Sequence, residues 1–185
     1  TLINDLKKNI NLNNLNNIEA KKVAISNIAN KKKIFYISKN DWESSITHRN
    51  FNEQNSLIVN SSTIDYELKN SKLNDFIVIV KLDIEGHEFN ALEGSLNLIK
   101  KYDPLFILEV SKYNMSNKEF NLTYLENFLK KNDYCIYNIS CEKITIKHLE
   151  KILFELNKSM NTIGNYYIVK KASEAEKYIN LKKYE

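Results

Sequence analysis

Residues 76–110 read FIVIVKLDIEGHEFNALEGSLNLIKKYDPLFILEV, and this stretch decides the fold class that the sequence predicts. It opens and closes on short apolar runs, residues 76–82 and 105–110. Short runs of continuously apolar residues favour strands that are buried on both faces, as in a parallel sheet. Apolar residues at helical spacing between the runs predict a helix, which Pro104 ends because it disfavours helix at the residue before it. The order strand, helix, strand predicts a right-handed βαβ unit with parallel neighbouring strands.

The rest of the chain continues this mixture of helices and strands. With 185 residues, it has the length of one domain with a substantial core, and we predict a single α/β domain over residues 1–185. Apolar periodicity predicts further helices at residues 2–10, 122–129, 149–156 and 172–181. β-Branched and aromatic residues predict further strands at residues 18–25, 33–38, 57–64, 134–139 and 165–170, with a long loop at 41–54.

Composition excludes several classes of protein. The formal net charge is only +4, and without a dense Lys/Arg block we expect no nucleic-acid partner. No apolar run approaches the ~20 residues that span a bilayer, and no signal-peptide pattern opens the sequence. We therefore expect no membrane association and a cytoplasmic location. Cys135 and Cys141, the two cysteines, are too few for a disulfide framework or a cysteine-built zinc site.

Polar side chains cluster where the two apolar runs end. Asp83 and Glu85 directly follow the first run, and Glu109 lies at the end of the second. In open α/β sheets, ligands bind outside the carboxyl ends of the strands. We therefore expect these three carboxylates and His87 to converge on one rim of the sheet.

Three roles suit this cluster. A turn from strand to helix favours acidic residues for capping alone, and Glu88 falls in the first helical turn, where negative charge suits the helix dipole. Asp, Glu and His are also metal-ligand types, although the tight turn that Gly86 permits should splay them apart. The third role, which we favour, is proton handling beside a bound substrate. Gly94 is a costly residue inside a helix and predicts close packing of the helix on the sheet.

The stretch VKLDIEGHEFNALEGSLNLIKKYDPLFILEV resembles the signature of the FkbM-type methyltransferase family. That signature runs from a K-[ILV]-D-[ILV]-E-G-H-E strand and turn, through a Lys/Glu-Gly pair and a helix, to a Pro and an apolar strand that closes on Glu. LKKNINLNNLNNIEAKKVAIS, WESSI and VNSSTID are similar to other elements of the family. The resemblance covers about residues 1–112, whereas residues 113–185 are too divergent to match.

The resemblance implies a Rossmann-like class I methyltransferase sheet with helices on both faces. It also implies S-adenosylmethionine as cofactor and methyl transfer to a hydroxyl of a sugar, glycan or natural product. Carried over by position, Asp83, Glu85 and His87 are the catalytic candidates. His87 is the first choice of general base because an unperturbed imidazole titrates near neutrality, and Asp83 is the second. Glu85 or Glu109 would orient the base or bind a substrate hydroxyl.

The cofactor side of the resemblance is weaker. Ala24 and Ser26 would lie near the adenine by analogy with the fold. The family's glycine-rich turn has no counterpart, because Gly86, Gly94 and Gly164 are the only glycines and no G-x-G can occur.

From the family's sheet order, 3-2-1-4-5-7-6, we expect the chain to be the carboxyl-terminal part of such a domain, lacking the first two strands. Residues 76–82 would then present an unpaired edge that recruits another copy.

Two alternatives to an active methyltransferase remain open. One is a catalytically inactive remnant, or a partner-binding module, with the same fold. The other is a metal-dependent hydrolase that uses Asp83, Glu85 and His87. The missing glycine-rich turn favours the first alternative, and the ligand types in the cluster favour the second.

Overall fold

The computed structural model describes residues 2–38, 44–46, 55–112, 121–156 and 163–182, which form a mixed α/β structure. Its strands are β1 (Ala24–Ile25), β2 (Lys32–Tyr36), β3 (Ser56–Ser62), β4 (Ile79–Leu82), β5 (Leu105–Ser111), β6 (Tyr134–Tyr137), β7 (Lys143–Ile144) and β8 (Ile163–Lys170). Its helices are α1 (Leu2–Leu12), α2 (Ile64–Leu68), α3 (Glu88–Glu93), α4 (Leu96–Tyr102), α5 (Leu122–Asn132), α6 (Ile146–Glu150) and α7 (Glu174–Lys182), and a π-helical turn (Lys151–Leu156) extends α6. No helix in these ranges is both long and apolar enough to cross a membrane.

The predicted βαβ unit is confirmed. β4 and β5 are parallel neighbours, with Val80 opposite Phe106 and Leu82 opposite Leu108. The crossover, however, consists of two short helices, α3 and α4, and not of one. It ends at Tyr102, and Asp103 turns into a left-handed conformation (φ 46°) directly before Pro104.

The break between α3 and α4 falls at Gly94, where the chain passes very close to the backbone that follows β1. A Cβ atom at Gly94 would lie 2.3 Å from the backbone oxygen of Ser26 and 3.1 Å from Cβ of Thr63. The prediction of close packing at Gly94 is thus confirmed, with the Ser26 backbone as the partner. The carbonyl of Gly94 also accepts a hydrogen bond from the backbone N–H of Asp65.

The strands form two sheets. The five-stranded sheet has the order β4-β5-β8-β6-β7, and all its pairs except β4/β5 are antiparallel. Its first four strands follow the order 4-5-7-6 that the resemblance implies, because β8 inserts between β5 and β6. The three-stranded sheet has the order β1-β3-β2, with β1 and β3 parallel.

The core of the described residues lies around β5. Phe106, Leu108 and Val110 alternate along one face of this strand and are fully buried. Period-2 alternation therefore places Glu109 on the opposite face of the strand. Helices α3, α5 and α6 contribute further fully buried leucines, namely Leu92, Leu125 and Leu149. The prediction of a strand buried on both faces holds for one face of β5 only, because the side chains on the opposite face, including Glu109, are half-buried.

The same prediction is wrong for residues 76–82. The strand begins only at Ile79, and the side chains of Phe76 and Ile79 are 68% and 60% exposed. These side chains are exposed because β4 is the edge strand of its sheet in the described part of the chain. β5 shields only one side of β4, as expected if residues 76–82 form an unpaired edge.

Other boundaries differ from the sequence predictions. Only Ala24–Ile25 of the predicted strand 18–25 pairs with a neighbour, and the predicted strand 57–64 ends at Ser62. Thr63 instead caps α2, because its side chain accepts from the N–H of Tyr66. The carboxylate of Asp65 accepts from the backbone N–H groups of residues 97 and 98 and so caps α4. Most of the predicted loop 41–54 lies outside the described residues.

We predict that Ile79→Lys reduces self-association of the chain. An exposed apolar edge strand pairs with other chains, and in a solution of this chain a second copy supplies the partner edge; a lysine at the edge opposes such pairing. Ile139→Lys is the matched control, because Ile139 is 68% exposed but lies outside the strands. Sedimentation velocity should show large species for the parent chain and the control, and fewer for Ile79→Lys. A parent chain that stays monomeric at high concentration would contradict the prediction.

Candidate functional site

The turn from β4 into α3 is held by the side chain of Glu88. Glu85 and Gly86 both have positive φ, at 57° and 95°, so the tight turn predicted for Gly86 is confirmed. Glu88 is only 3% exposed, and its Oε1 accepts from the backbone N–H groups of Ile84 and Gly86, each at 3.1 Å. Glu88 therefore fixes the turn that precedes α3, and through these bonds it does not cap the helix, because both N–H groups belong to residues before α3.

A second contact ties this turn to the three-stranded sheet. The hydroxyl of Ser45, which is buried, donates to the backbone carbonyl of Glu85 at 2.8 Å. The backbone of Ser45 pairs in turn with Tyr36 at the end of β2, through bonds of 2.8 and 3.1 Å. Ser45 of the WESSI segment thus fixes the turn from the other side, while Trp42 and Glu43 lie outside the described residues.

The structure brings together the three predicted carboxylates. One oxygen each of Asp83, Glu85 and Glu109 lies within 4.8 Å of the other two. Their convergence follows from the parallel pairing of β4 and β5, which aligns the carboxyl ends of the two strands. The expected cluster at this rim is therefore confirmed for the carboxylates.

Two of these carboxyl groups differ sharply in electrostatics. The ammonium of Lys81 lies 2.5 Å from Oδ2 of Asp83 and holds the pKa of Asp83 below its usual range. Burial, and then the negative charge of Asp83, raises the pKa of Glu109 to about 7. At neutral pH the site therefore combines an ionised Asp83 with a Glu109 that readily gains or loses a proton.

The raised pKa of Glu109 predicts how stability depends on pH. In the unfolded chain a glutamate has a pKa near 4.3, so the folded protein binds this proton more tightly. The resulting stabilisation is complete below about pH 4 and is lost as the pH rises through about 7. Glu109→Gln should thus be more stable than the parent above pH 7, by about 1–2 kcal/mol after allowance for solvent screening. Urea unfolding at pH 8 and pH 4 tests this, and an equal difference at both pH values would contradict it.

His87 lies apart from the carboxylate group and next to β1. Its Nε2 is 3.1 Å from the hydroxyl of Ser26, a residue 61 positions away in the chain. Burial, and then the charge of Lys33, lowers the pKa of His87 to about 4. The expectation that this imidazole titrates near neutrality is therefore wrong, because the folded chain removes it from water. At neutral pH His87 is uncharged.

A chain of hydrogen bonds extends from His87 through Ser26 to three residues that the sequence motifs did not indicate as site residues. Ser26 donates to Oδ1 of Asn27 at 3.2 Å, and Nδ2 of Asn27 donates to Glu93 at 2.9 Å. The hydroxyl of Tyr124 donates to the other oxygen of Glu93 at 2.7 Å. In the sequence, only the Lys/Glu-Gly pair of the family signature pointed to Glu93. That motif does not indicate the hydrogen-bond partners of Glu93, which are Asn27 and Tyr124.

A comparison with protein families agrees with this geometry. The family model described as the methyltransferase FkbM domain matches residues 2–136, which is more than half of the chain. The chain belongs to the FkbM methyltransferase family. The match includes all the site residues named above and extends past residue 112, where the resemblance ended, into α5 and β6. No curated protein and no solved structure matches the chain.

For an FkbM methyltransferase, the first question is how this chain would hold S-adenosylmethionine. Ala24 lines a cleft of about 240 Å³ together with Phe35, Asp83, Glu85 and His87. Ligand sites usually measure about 300–1,000 Å³, and the sequence has no G-x-G turn. This cleft is therefore too small for the whole cofactor, although Ala24 and Phe35 also line a second cavity of about 450 Å³.

Ser26, the second predicted cofactor residue, is fully buried, with its hydroxyl bonded to Asn27 and His87. Its side chain supports the wall of the cleft from within the protein. The roles of Ala24 and Ser26 in cofactor binding stay predictions.

The metal-dependent alternative required Asp83, Glu85 and His87 to act together. In the described residues the ligand atoms that come within 4.8 Å of one another belong to Asp83, Glu85 and Glu109. His87 lines the same cleft but bonds to Ser26. Clustered exposed acids are common without a metal, so this arrangement alone does not support a hydrolase of the expected type.

Proposed function

We propose that this FkbM methyltransferase chain uses S-adenosylmethionine to methylate a hydroxyl oxygen of a sugar, glycan or natural product. We further propose that Glu109 accepts the hydroxyl proton while Asp83 stays ionised beside it. The observation that carries the proposal is the convergence of Glu109 and Asp83 at the carboxyl ends of two parallel strands. This rim is where α/β folds bind their ligands.

The proposed reaction has a simple requirement for proton transfer. Methylation of a hydroxyl replaces its O–H proton by a methyl group, so the site must accept one proton in each turnover. A general base works best when its pKa lies close to the working pH. Glu109 has a pKa of about 7, whereas His87, at about 4, is too weak a base for this role near neutrality.

Asp83 and His87 have other roles in this proposal. The ionised carboxylate of Asp83, held by Lys81, helps to raise the pKa of Glu109 and so makes Glu109 a stronger base near neutral pH. The uncharged imidazole of His87 forms part of the cleft wall beside Asp83 and Glu85.

We also propose a Rossmann-like arrangement for the sheet. The order β4-β5-β8-β6, with an antiparallel β8 inserted between β5 and β6, supports it. The exposed edge of β4 is where further strands of such a sheet would pair.

The test is formation of S-adenosylhomocysteine by the full natural polypeptide with a panel of monosaccharides and their deoxy analogues. We expect product that depends on one particular hydroxyl and decreases strongly in Glu109→Gln. Transfer to amine or carboxylate acceptors alone would overturn the proposal. Absence of transfer to every acceptor, with cofactor binding intact, would favour the inactive or partner-binding alternative.

A further inference from the structure

The hydrogen-bond chain from Glu93 to His87 has a direction that its chemistry determines. It links four side chains on three parts of the fold: Glu93 at the end of α3, Asn27 and Ser26 after β1, and His87 before α3. A carboxylate can only accept hydrogen bonds. Asn27 must therefore turn its amide NH₂ toward Glu93, which leaves its carbonyl oxygen facing Ser26.

The orientation of Asn27 also determines which nitrogen of the His87 imidazole carries the proton. The carbonyl oxygen of Asn27 can only accept, so the single hydroxyl proton of Ser26 is donated to it. Ser26 is fully buried, so water does not compete for this hydroxyl. Its oxygen can then only accept from His87, and the proton of the neutral imidazole must lie on Nε2, which is 3.1 Å away.

We infer that Glu93 is a positioning residue that fixes His87 as the Nε2–H tautomer, with an unprotonated Nδ1. This inference rests on the proposed function only where it gives the tautomer a use: with Nε2 donating to Ser26, an unprotonated Nδ1 can accept a hydrogen bond but cannot donate one at the cleft. Glu93 does not touch the reacting atoms and acts through Asn27 and Ser26.

The neighbourhood of Glu93 supports this direction. Tyr124 donates to the carboxylate oxygen that Asn27 does not use, at 2.7 Å. Burial, and then the hydrogen bond to Glu93, raises the pKa of Tyr124, so its hydroxyl stays protonated and donates. The ring of Tyr124 also packs on Phe89 of α3, with centroids 5.3 Å apart, which holds α5 against Glu93.

The test is the ¹⁵N spectrum of the His87 ring at neutral pH, because the shifts of the two ring nitrogens identify the protonated one. The parent protein should show the Nε2–H form. In Glu93→Gln, an amide can satisfy Asn27 in either orientation, so the chain can reverse and place the proton on Nδ1. We expect the Nδ1–H tautomer to become populated in this variant, because the donor Tyr124 favours the orientation that turns the new NH₂ group toward Asn27.

Tyr124→Phe is the matched control. It removes a hydrogen bond to the same side chain but leaves the carboxylate, so the tautomer should stay Nε2–H. An Nδ1–H form in the parent protein would overturn the direction of the chain. An unchanged tautomer ratio in a folded Glu93→Gln would overturn the role of Glu93. Neither measurement uses a methyl acceptor, so failure of this inference is distinguishable from failure of the proposed function.

Discussion

Glu109→Gln should lower methyl transfer to a hydroxyl acceptor by about 10²–10⁴-fold, the usual cost of losing a general base. Glutamine keeps the size of the side chain and its ability to bond Asp83, but it cannot accept the proton. Formation of S-adenosylhomocysteine under saturating substrate measures the effect. Cofactor affinity should change little, because the substitution removes a proton acceptor and leaves the wall of the cleft in place.

Glu126→Gln is the control for this variant, since Glu126 lies on α5 and forms an exposed ion pair with Lys130. Its turnover should equal that of the parent. Parent-like turnover in Glu109→Gln, together with a large loss in His87→Ala, would transfer the proton-accepting role to His87. Asp83→Asn should also lower turnover, because it removes a negative charge that raises the pKa of Glu109.

Gly94→Ala should destabilise the fold by about 1–3 kcal/mol, the range for overpacked interiors. The backbone conformation at Gly94 (φ −76°) suits alanine, so the expected cost comes entirely from contact. The new methyl group would meet the backbone oxygen of Ser26 at 2.3 Å, and a backbone atom cannot move aside as a flexible side chain can. The midpoint of urea unfolding measures the loss.

Gly164→Ala, in β8, is the matched control. Its added Cβ would meet only the ring of Tyr166, at 3.0 Å or more, and a side chain can shift by the few tenths of an ångström required. We expect a much smaller change in stability than for Gly94→Ala. Equal effects of the two substitutions would show that Gly94 is not needed for the close approach to Ser26.

The sequence was sufficient to predict the parts of the fold that depend on local pattern. The apolar runs that became β4 and β5 and the stop at Pro104 were recognisable because each depends on neighbouring residues. The convergence of Asp83 and Glu109 followed from one further rule, that parallel strands align their carboxyl ends.

The electrostatics of the site could not be predicted in the same way. His87 owes its low pKa to burial and to Lys33 of β2, and this contact forms only when the three-stranded sheet packs beside the turn. Glu109 owes its raised pKa to burial and then to the charge of Asp83, which directly follows β4. The general base expected from the unperturbed pKa was therefore His87, whereas the folded structure favours Glu109.

The break in the crossover helix was missed for a similar reason. Gly94 predicted close packing but not the partner, and the carbonyl of Ser26 comes from a part of the chain far away in sequence. The apolar pattern also gave no sign of the exposure of Ile79, because an apolar run looks the same in a central strand and in an edge strand; only the sheet order of the resembling family indicated an edge. Both features depend on parts of the chain that are distant in the sequence: Gly94 on its contact with Ser26, and Ile79 on the position of β4 in the sheet.

The most direct test of the account is an NMR pH titration that follows the Glu109 carboxyl carbon and the His87 ring in the same folded protein. We expect titration midpoints of about 7 for Glu109 and about 4 for His87. This reverses the usual order, in which glutamate titrates at a lower pH than histidine. Glu109→Gln should remove the carboxyl signal that titrates near neutrality. Midpoints near the ordinary values, about 4.3 for glutamate and about 6.5 for histidine, would contradict the claim that Glu109 is the proton acceptor.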